Sequence, residues 1–128
     1  MSEATTTQRF TDNGDDTVTD NTTGLVWTKK TVAEDVTHEQ AVAAVAALGE
    51  GFRLPTVQEL FGLVDHTTCR PAIDGEAFPD TRCDIYWTST PWAANPDAAV
   101  WCVDFGYGFV LDCHRDFDGC VRAVRPGQ

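Results

Sequence analysis

Two helix-start signals, lying between segments of strand-like sequence, constrain the fold of this chain most strongly. Thr37 is followed three residues later by Gln40, and Thr56 is followed at the same spacing by Glu59. A threonine with glutamine or glutamate at this spacing forms a capping box, which begins a helix. Apolar residues at helical spacing follow each box, and Gly49 is placed to end the first helix. The sequence therefore predicts two short helices in the middle of the chain.

Strand patterns occupy both sides of these helices. Short β-branched and aromatic segments alternate with glycine-bearing turns, which favour hairpins. The predicted strands cover residues 9–11, 17–19, 25–28, 86–90, 99–105, 109–113 and 120–125. Strands, two helices and then strands again predict an α+β fold with a mainly antiparallel, twisted sheet. We expect a single domain over residues 1–128.

The acidic charge limits the classes of partner. The chain has 20 acidic and 9 basic residues, a formal net charge of −11. Repulsion from such a surface argues against nucleic acid, anionic lipid or a sulfated glycan as a partner. No apolar run is long enough to cross a bilayer, so membrane insertion is not expected either.

Five cysteines in a short chain indicate an oxidising compartment. Cys69 and Cys83 bracket the irregular segment from His66 to Ile85. A disulfide between them would close a loop of about 15 residues and stabilise the fold by roughly 3 kcal/mol. We predict this bond; the alternative is two unpaired buried thiols. We expect an extracellular, cell-surface or virion location, although no signal peptide is visible in residues 1–7.

An ordered set of motifs along nearly the whole chain resembles one known family. The motifs are Arg9 to Asp15, Thr17 to Asn21, Thr23 to Trp27, Phe52 to Thr56, Glu59-Leu60, Pro71 to Asp74, Phe78-Pro79, Tyr86 to Thr90, Trp101 to Phe105 and Val121 to Arg125. Together they are similar to the C-terminal domain of collagen-like bacterial adhesins, a domain of unknown function. The resemblance implies a C-type-lectin-like fold, distantly similar to the formylglycine-generating enzymes and used mostly for binding.

In the collagen-linked adhesins this domain is a trimeric head that recognises glycosaminoglycans. The present chain departs from that pattern, because it has no collagen-like stretch and is strongly acidic. We therefore do not carry the sulfated ligand over. The segment 102–120 also contains no Lys, Glu, Gln, Met or Trp. In this it is similar to the variable region of proteins that diversity-generating retroelements mutate.

Alternation along the C-terminal strands predicts the binding surface. Trp101, Val103 and Phe105 share one face, which we interpret as core, and Val110 joins it. The opposite face and the adjoining turns, with two residues of the loop from Pro91 to Pro96, form the predicted ligand-binding surface. Its residues are Trp92, Asn95, Cys102, Asp104, Tyr107, Phe109, Leu111, Cys113, His114, Arg115, Asp116, Phe117, Asp118 and Cys120, with Arg122 also facing outward. The alternative is a slipped register that buries Phe109 and Leu111.

Other chemistries of the same segment stay open. Cys102, Cys113, His114 and Cys120 have zinc-ligand side chains but lack a compact Cys-x-x-Cys pair. A disulfide from Cys113 to Cys120 would cross the last turn. Reactive cysteines would be needed for a thiol oxidase similar to the formylglycine-generating enzymes. These alternatives are ranked below a binding surface.

The Asp-rich segment near the N-terminus has the composition of a calcium loop but not its full spacing, so a hairpin turn explains it adequately. Its polar residues are Asp12, Asn13, Asp15, Asp16 and Asp20. We expect no metal, no cofactor and no enzymatic activity. The expected partner is a protein or glycan on a cell or particle surface.

Overall fold

The structure, a computed structural model, describes residues 9–127. This part of the chain contains two helices and nine strands. The helices are α1 (His38–Ala46) and α2 (Val57–Phe61). The strands are β1 (Phe10–Asp12), β2 (Thr17–Asp20), β3 (Leu25–Thr28), β4 (Ala33–Val36), β5 (Ile85–Pro91), β6 (Ala99–Asp104), β7 (Phe109–His114), β8 (Gly119–Val121) and β9 (Val124–Pro126). Between residues 9 and 127, neither helix has the length and apolarity needed to cross a membrane.

The strands form two open sheets. The first has four strands in the order β9-β3-β2-β1, all antiparallel. The second has five strands in the order β4-β8-β5-β6-β7, antiparallel except for the contact between β5 and β8. Two helices with mainly antiparallel sheets confirm the predicted α+β class.

Both predicted capping boxes are present. The Thr37 hydroxyl accepts a hydrogen bond from the Gln40 amide, and the Gln40 side chain accepts one from the Thr37 amide. Thr56 and Glu59 repeat the arrangement at α2. These reciprocal bonds satisfy backbone donors that a helix start leaves unpaired, which is why both helices begin where the sequence predicts.

The second sheet packs against other elements on both faces, and this corrects the predicted outward face. One face packs against the first sheet and α2 in a cluster that includes Trp27, Leu60 and Val103. The other face packs against α1, where Ala41 and Val45 contact the sheet. For β6 and β7 the predicted division of residues between the faces is correct, because the two strands pair in that register. It is wrong for Cys120, which lies in the cluster of Val103, and Val110, predicted as core, is 38% exposed. The error was to expect solvent where α1 lies.

The predicted strand 120–125 is wrong as a single element, because the chain leaves one sheet for the other at Arg122 and Ala123. The Arg122 guanidinium is buried and donates to the carbonyls of Thr28 and Lys29 at 2.7 and 2.9 Å. It also lies over the Phe78 ring, with Cζ 4.6 Å from the ring centroid. Arg122 is therefore the link between the two sheets and not an outward-facing residue.

The irregular segment between α2 and β5 is held by backbone hydrogen bonds. Arg70 donates to the Gly106 carbonyl at 2.7 Å, and Ala72 donates to the Phe105 carbonyl at 2.7 Å. Cys69 and Cys83 are both exposed free thiols in the structure. The structure does not contain the predicted disulfide, and backbone pairing with the β6–β7 turn fastens the segment.

Candidate functional site

The turn between β6 and β7 places two aromatic side chains in solvent. The Asp104 carboxylate accepts a hydrogen bond from the Gly106 amide at 2.7 Å, and the Asp104 carbonyl accepts one from Gly108 at 2.8 Å. Gly108 has a φ of +83°, a backbone conformation that favours glycine. The turn leaves Tyr107 and Phe109 exposed by 52% and 62%, with ring centroids 6.1 Å apart.

Residues from α2 and the following loop extend this aromatic surface. His66 Nε2 donates to the Gly108 carbonyl at 3.1 Å, and the Phe61 and His66 ring centroids are 5.8 Å apart. Phe61 is 40% exposed. The ring pairs Phe61–His66 and Tyr107–Phe109 are therefore connected through the His66 hydrogen bond to Gly108, and we term these four residues the aromatic patch.

Charged residues of both signs lie near the aromatic patch. Residues 61–66 and 104–112, which carry it, include Asp65, Asp104 and Asp112 but no lysine or arginine. Hydrogen bonds from the Thr67 hydroxyl and amide hold the pKa of Asp65 below its usual value. Asp104 pairs with Phe109 across the hairpin, so the two side chains share a face. Asp112 lies on the opposite face of the hairpin from Phe109. Arg9 donates to the Gly62 carbonyl and the Arg70 amide donates to the Gly106 carbonyl, so basic as well as acidic residues lie near the patch.

The predicted binding surface divides into two groups at opposite ends of β7. Phe109 begins the strand and His114 ends it, and at about 3.3 Å per residue they are roughly 16 Å apart. The second group lies at the His114 end, where the Phe117 amide donates to the His114 carbonyl. Its residues are Trp92, Asn95, His114, Arg115, Asp116, Phe117 and Asp118, of which Trp92 and Arg115 are half-buried and the others exposed.

Arg115 fastens that second end to α1. Its Nη1 donates to His38 Nδ1 at 3.1 Å, and its Nη2 donates to the Pro96 carbonyl at 2.8 Å. Because His38 Nδ1 accepts, Nε2 carries the proton and donates to the Thr88 carbonyl at 3.0 Å. Burial lowers the pKa of His38, and the nearby Arg115 charge adds to this effect. His38 is therefore held neutral as a structural residue.

The three cysteines predicted to lie on the binding surface are buried, which corrects that part of the prediction. Cys102 and Cys113 lie under α1, and Cys120 lies in the opposite core cluster. A hydrogen bond with Cys113 and burial raise the pKa of Cys102 well above that of a free thiol. Burial raises the pKa of Cys120 to about 11. Leu111 is half-buried against the Cys102 cluster.

The positions of the cysteines are relevant to two alternatives, a disulfide from Cys113 to Cys120 and a zinc site. Cys113 and Cys120 are free thiols that belong to different core clusters. His114 points away from Cys113, as neighbours on a strand do, and is exposed. Over residues 9–127, no three His, Cys, Asp or Glu side chains are grouped so that they could hold a metal ion.

The Asp-rich segment forms the hairpin turn that the sequence predicts. Asp12 accepts from the Gly14 amide at 2.9 Å and from Lys29 Nζ at 2.6 Å. The Lys29 hydrogen bond, with that of Gly14, lowers the pKa of Asp12. Asp15 accepts from the Thr17 amide at 3.2 Å. Asp12 and Asp15 therefore have partners that account for them within the turn.

Sequence reasoning missed two members of the aromatic patch and one groove. Phe61 lies off the apolar stripe of α2, which comprises Leu60, Leu63 and Val64, and a large aromatic residue there was the available signal. The groove, of about 350 Å³, lies beside α1. It is lined by Val42, Val45, Ala46, Phe52, Arg53, Leu54 and Ser89.

Comparison with known proteins and family models shows to which family the chain belongs. A search of curated proteins found no match to the chain. The family model of the Lcl C-terminal domain matches residues 16–125, which is most of the chain and includes β2 to β8 in full. This match confirms the family to which the ordered motifs point. The chain belongs to the Lcl C-terminal domain family.

Proposed function

We propose that this protein is a ligand-binding module, of receptor-binding or adhesive type, built on a C-type-lectin-like scaffold. The observation that carries the proposal is the exposed Tyr107–Phe109 ring pair at a solvent-facing turn, to which His66 is hydrogen-bonded. Contiguous exposed apolar surface of this kind is uncommon on a protein without a partner and marks interaction sites.

The turn that carries the patch is well fixed. Two hydrogen bonds to Asp104 close it, and His66 attaches it to the loop after α2. A rigid aromatic side chain loses little conformational entropy when it binds, and tyrosine is enriched among residues that dominate binding energy. The patch therefore has the composition and the support of a binding surface.

The site of action we propose is a cell or particle surface. The charge of −11 disfavours polyanionic partners and leaves proteins and uncharged glycans as ligands. Exposed positions in the segment 102–120, such as Tyr107, Phe109 and His114, are the ones that a diversity-generating retroelement would vary. The buried residues between them would form the constant frame.

Protein and glycan arrays probed with the labelled chain test the proposal. The double variant Tyr107→Ala/Phe109→Ala should lose the array signals, while its melting temperature stays within a few degrees because both side chains are exposed. Val42→Ala is the matched control, since Val42 is 49% exposed on α1 away from the patch. Signals that persist in the double variant would contradict the proposal.

A further inference from the structure

We infer that β7 is a self-association edge, through which two copies of this chain join their five-stranded sheets in a two-fold symmetric dimer. This dimer goes beyond the proposed function and does not rest on it. Three features of the chain support it: the position of β7 in its sheet, the outward direction of its backbone groups and the protection of the other sheet edges.

β7 is the outermost strand of the second sheet and is both long and apolar at its start. Its six residues pair with β6 without a register shift, and within residues 9–127 no strand pairs with its other side. Phe109 and Val110 are 62% and 38% exposed, and Leu111 is half-buried. A long, flat, apolar edge strand is a template on which a further strand can pair.

The hydrogen bonds of the sheet show which backbone groups of β7 face outward. The Trp101 carbonyl accepts from the Thr88 hydroxyl on β5, so it points away from β7. Trp101 is paired with Asp112, and the backbone groups of two antiparallel partners point either toward each other or both away. Asp112 therefore directs its amide and its carbonyl outward. Val110, two residues earlier, does the same because the direction repeats every second residue.

A two-fold register centred on Leu111 uses all of these outward groups. Val110 of each copy then lies opposite Asp112 of the other, and each such pair exchanges both of its backbone hydrogen bonds. Centring the axis on Asp112 would place two like charges opposite each other, which is destabilising. Centring it on Val110 would require Gly108 to be extended, but its φ is +83°. The expected contact on the axis is therefore Leu111 against Leu111 of the second copy.

The other sheet edges carry features that prevent pairing. β4 contains Glu34 and Asp35, its register with β8 shifts, and Asp35 has a φ of +57°. β1 and β9 are each three residues long, and β9 ends at Pro126. Charges, bulges, prolines and short length are the means by which edges are protected. The edge that a second copy offers is thus its own β7, and contact of like with like closes into a dimer.

The second copy is favoured by order and opposed by charge. It brings a strand that is already extended, whereas a flexible peptide would lose conformational entropy on binding. Each copy also carries a net charge of −11, which repels the other. We expect a weak dimer that strengthens as salt is added, because ions screen this repulsion. An interface held by opposite charges would weaken instead.

Sedimentation equilibrium of the chain in a reducing buffer tests the inference. The apparent mass should rise from that of one chain toward that of two as the protein concentration approaches about 1 mM, the range of weak association. Raising the NaCl concentration from about 0.1 to about 0.5 M should move the midpoint to lower protein concentration. A chain that stays monomeric at both salt concentrations overturns the inference, and a mass that rises beyond two copies contradicts the closed dimer.

Substitutions on β7 locate the contact. Val110→Pro removes an outward donor without breaking the ladder to β6, and should weaken association at least about 10-fold because half of the interchain bonds lose their donors. Leu111→Lys keeps the backbone intact and should weaken it by a similar factor, since two lysines would face each other on the axis. Val42→Lys is the matched control, because Val42 is 49% exposed on α1.

Circular dichroism shows whether each of these variants is folded. Val42→Lys should associate as the unsubstituted chain does, apart from the small effect of one added charge. Association that survives both β7 variants, or that Val42→Lys weakens as much, contradicts the assignment to β7.

A cysteine on the axis reads the register directly. The background is Cys69→Ser/Cys83→Ser, which removes the two exposed thiols. With oxidised glutathione, Leu111→Cys should cross-link the two copies, because directly opposed Cβ atoms lie about 4.5–5.5 Å apart. His114→Cys is the control, since at about 3.3 Å per residue its counterpart in the second copy lies roughly 20 Å away. Equal cross-linking of the two variants would contradict the register.

These experiments use no ligand, so they separate the dimer from the proposed function. A monomeric chain that still gives array signals overturns the dimer alone. A dimeric chain whose array signals persist in Tyr107→Ala/Phe109→Ala overturns the proposed binding surface alone.

Discussion

Substitution of Gly108 by alanine should destabilise the chain and disturb the aromatic patch. Gly108 has a φ of +83°, and an added Cβ would lie 2.8 Å from Val64 Cγ1 and 3.0 Å from the His66 ring. The left-handed backbone costs a residue with a Cβ about 1–2 kcal/mol. The close contacts add roughly 1 kcal/mol, because the neighbouring side chains must shift. We expect a total loss of about 2–3 kcal/mol in the free energy of unfolding.

Urea unfolding followed by tryptophan fluorescence measures this loss. The midpoint should fall while the slope of the free energy against urea stays unchanged, since the surface exposed on unfolding is the same. Gly75→Ala is the control, because Gly75 has nothing within 4 Å of an added Cβ and no positive φ. It should change stability by less than about 0.5 kcal/mol. Equal midpoints for the two variants would refute the geometry assigned to the turn.

Three further predictions concern buried groups. Burial and the nearby Arg115 charge lower the pKa of His38, so the native state disfavours its charged form. The free energy of unfolding should therefore fall as the pH drops below about 6.5, the pKa expected for histidine in the unfolded chain. Urea midpoints at pH 7.5 and 5.0 should show this fall, and His38→Gln should reduce it. In a thiol titration of the unreduced native chain at pH 8, Cys69 and Cys83 should react quickly, and the three buried cysteines should react only on unfolding. If no thiol reacts quickly, Cys69 and Cys83 form a disulfide. Arg122→Met should lower the free energy of unfolding in urea by about 2–4 kcal/mol, because it leaves the carbonyls of Thr28 and Lys29 without their hydrogen-bond donor. A loss below about 0.5 kcal/mol would contradict the role of Arg122 as the link between the sheets.

Local patterns predicted much of the fold because the interactions behind them are local. The two capping boxes act within four residues, and both helices begin at them. The N-terminal hairpins follow their glycine-bearing turns. By contrast, β4 has the sequence Ala-Glu-Asp-Val, with little strand preference, and forms because β8 pairs with it. Pairing of this kind cannot be read from one segment.

The errors at the candidate site have one physical origin. Alternation along β6 and β7 gave the correct register but not which face meets solvent, since that depends on where α1 packs. Cys102 and Cys113 were therefore placed on the surface although they are buried. Tyr107 and Phe109 are exposed as predicted, because they lie at the end of the hairpin beyond the helix. Phe61 and His66 approach this turn only through the tertiary hydrogen bond from His66 to Gly108, which the sequence does not display.

Binding by variants at the two ends of β7 tests the central proposal most directly. Tyr107→Ala/Phe109→Ala removes the ring pair of the aromatic patch, and Phe117→Ala removes a side chain of similar exposure, 57%, at the opposite end. Both proteins would be assayed on the same protein and glycan arrays, after circular dichroism has shown that they are folded. We expect the first variant to lose binding and the second to retain it. Loss of binding in Phe117→Ala alone would place the site at the His114 end and contradict the assignment to the aromatic patch.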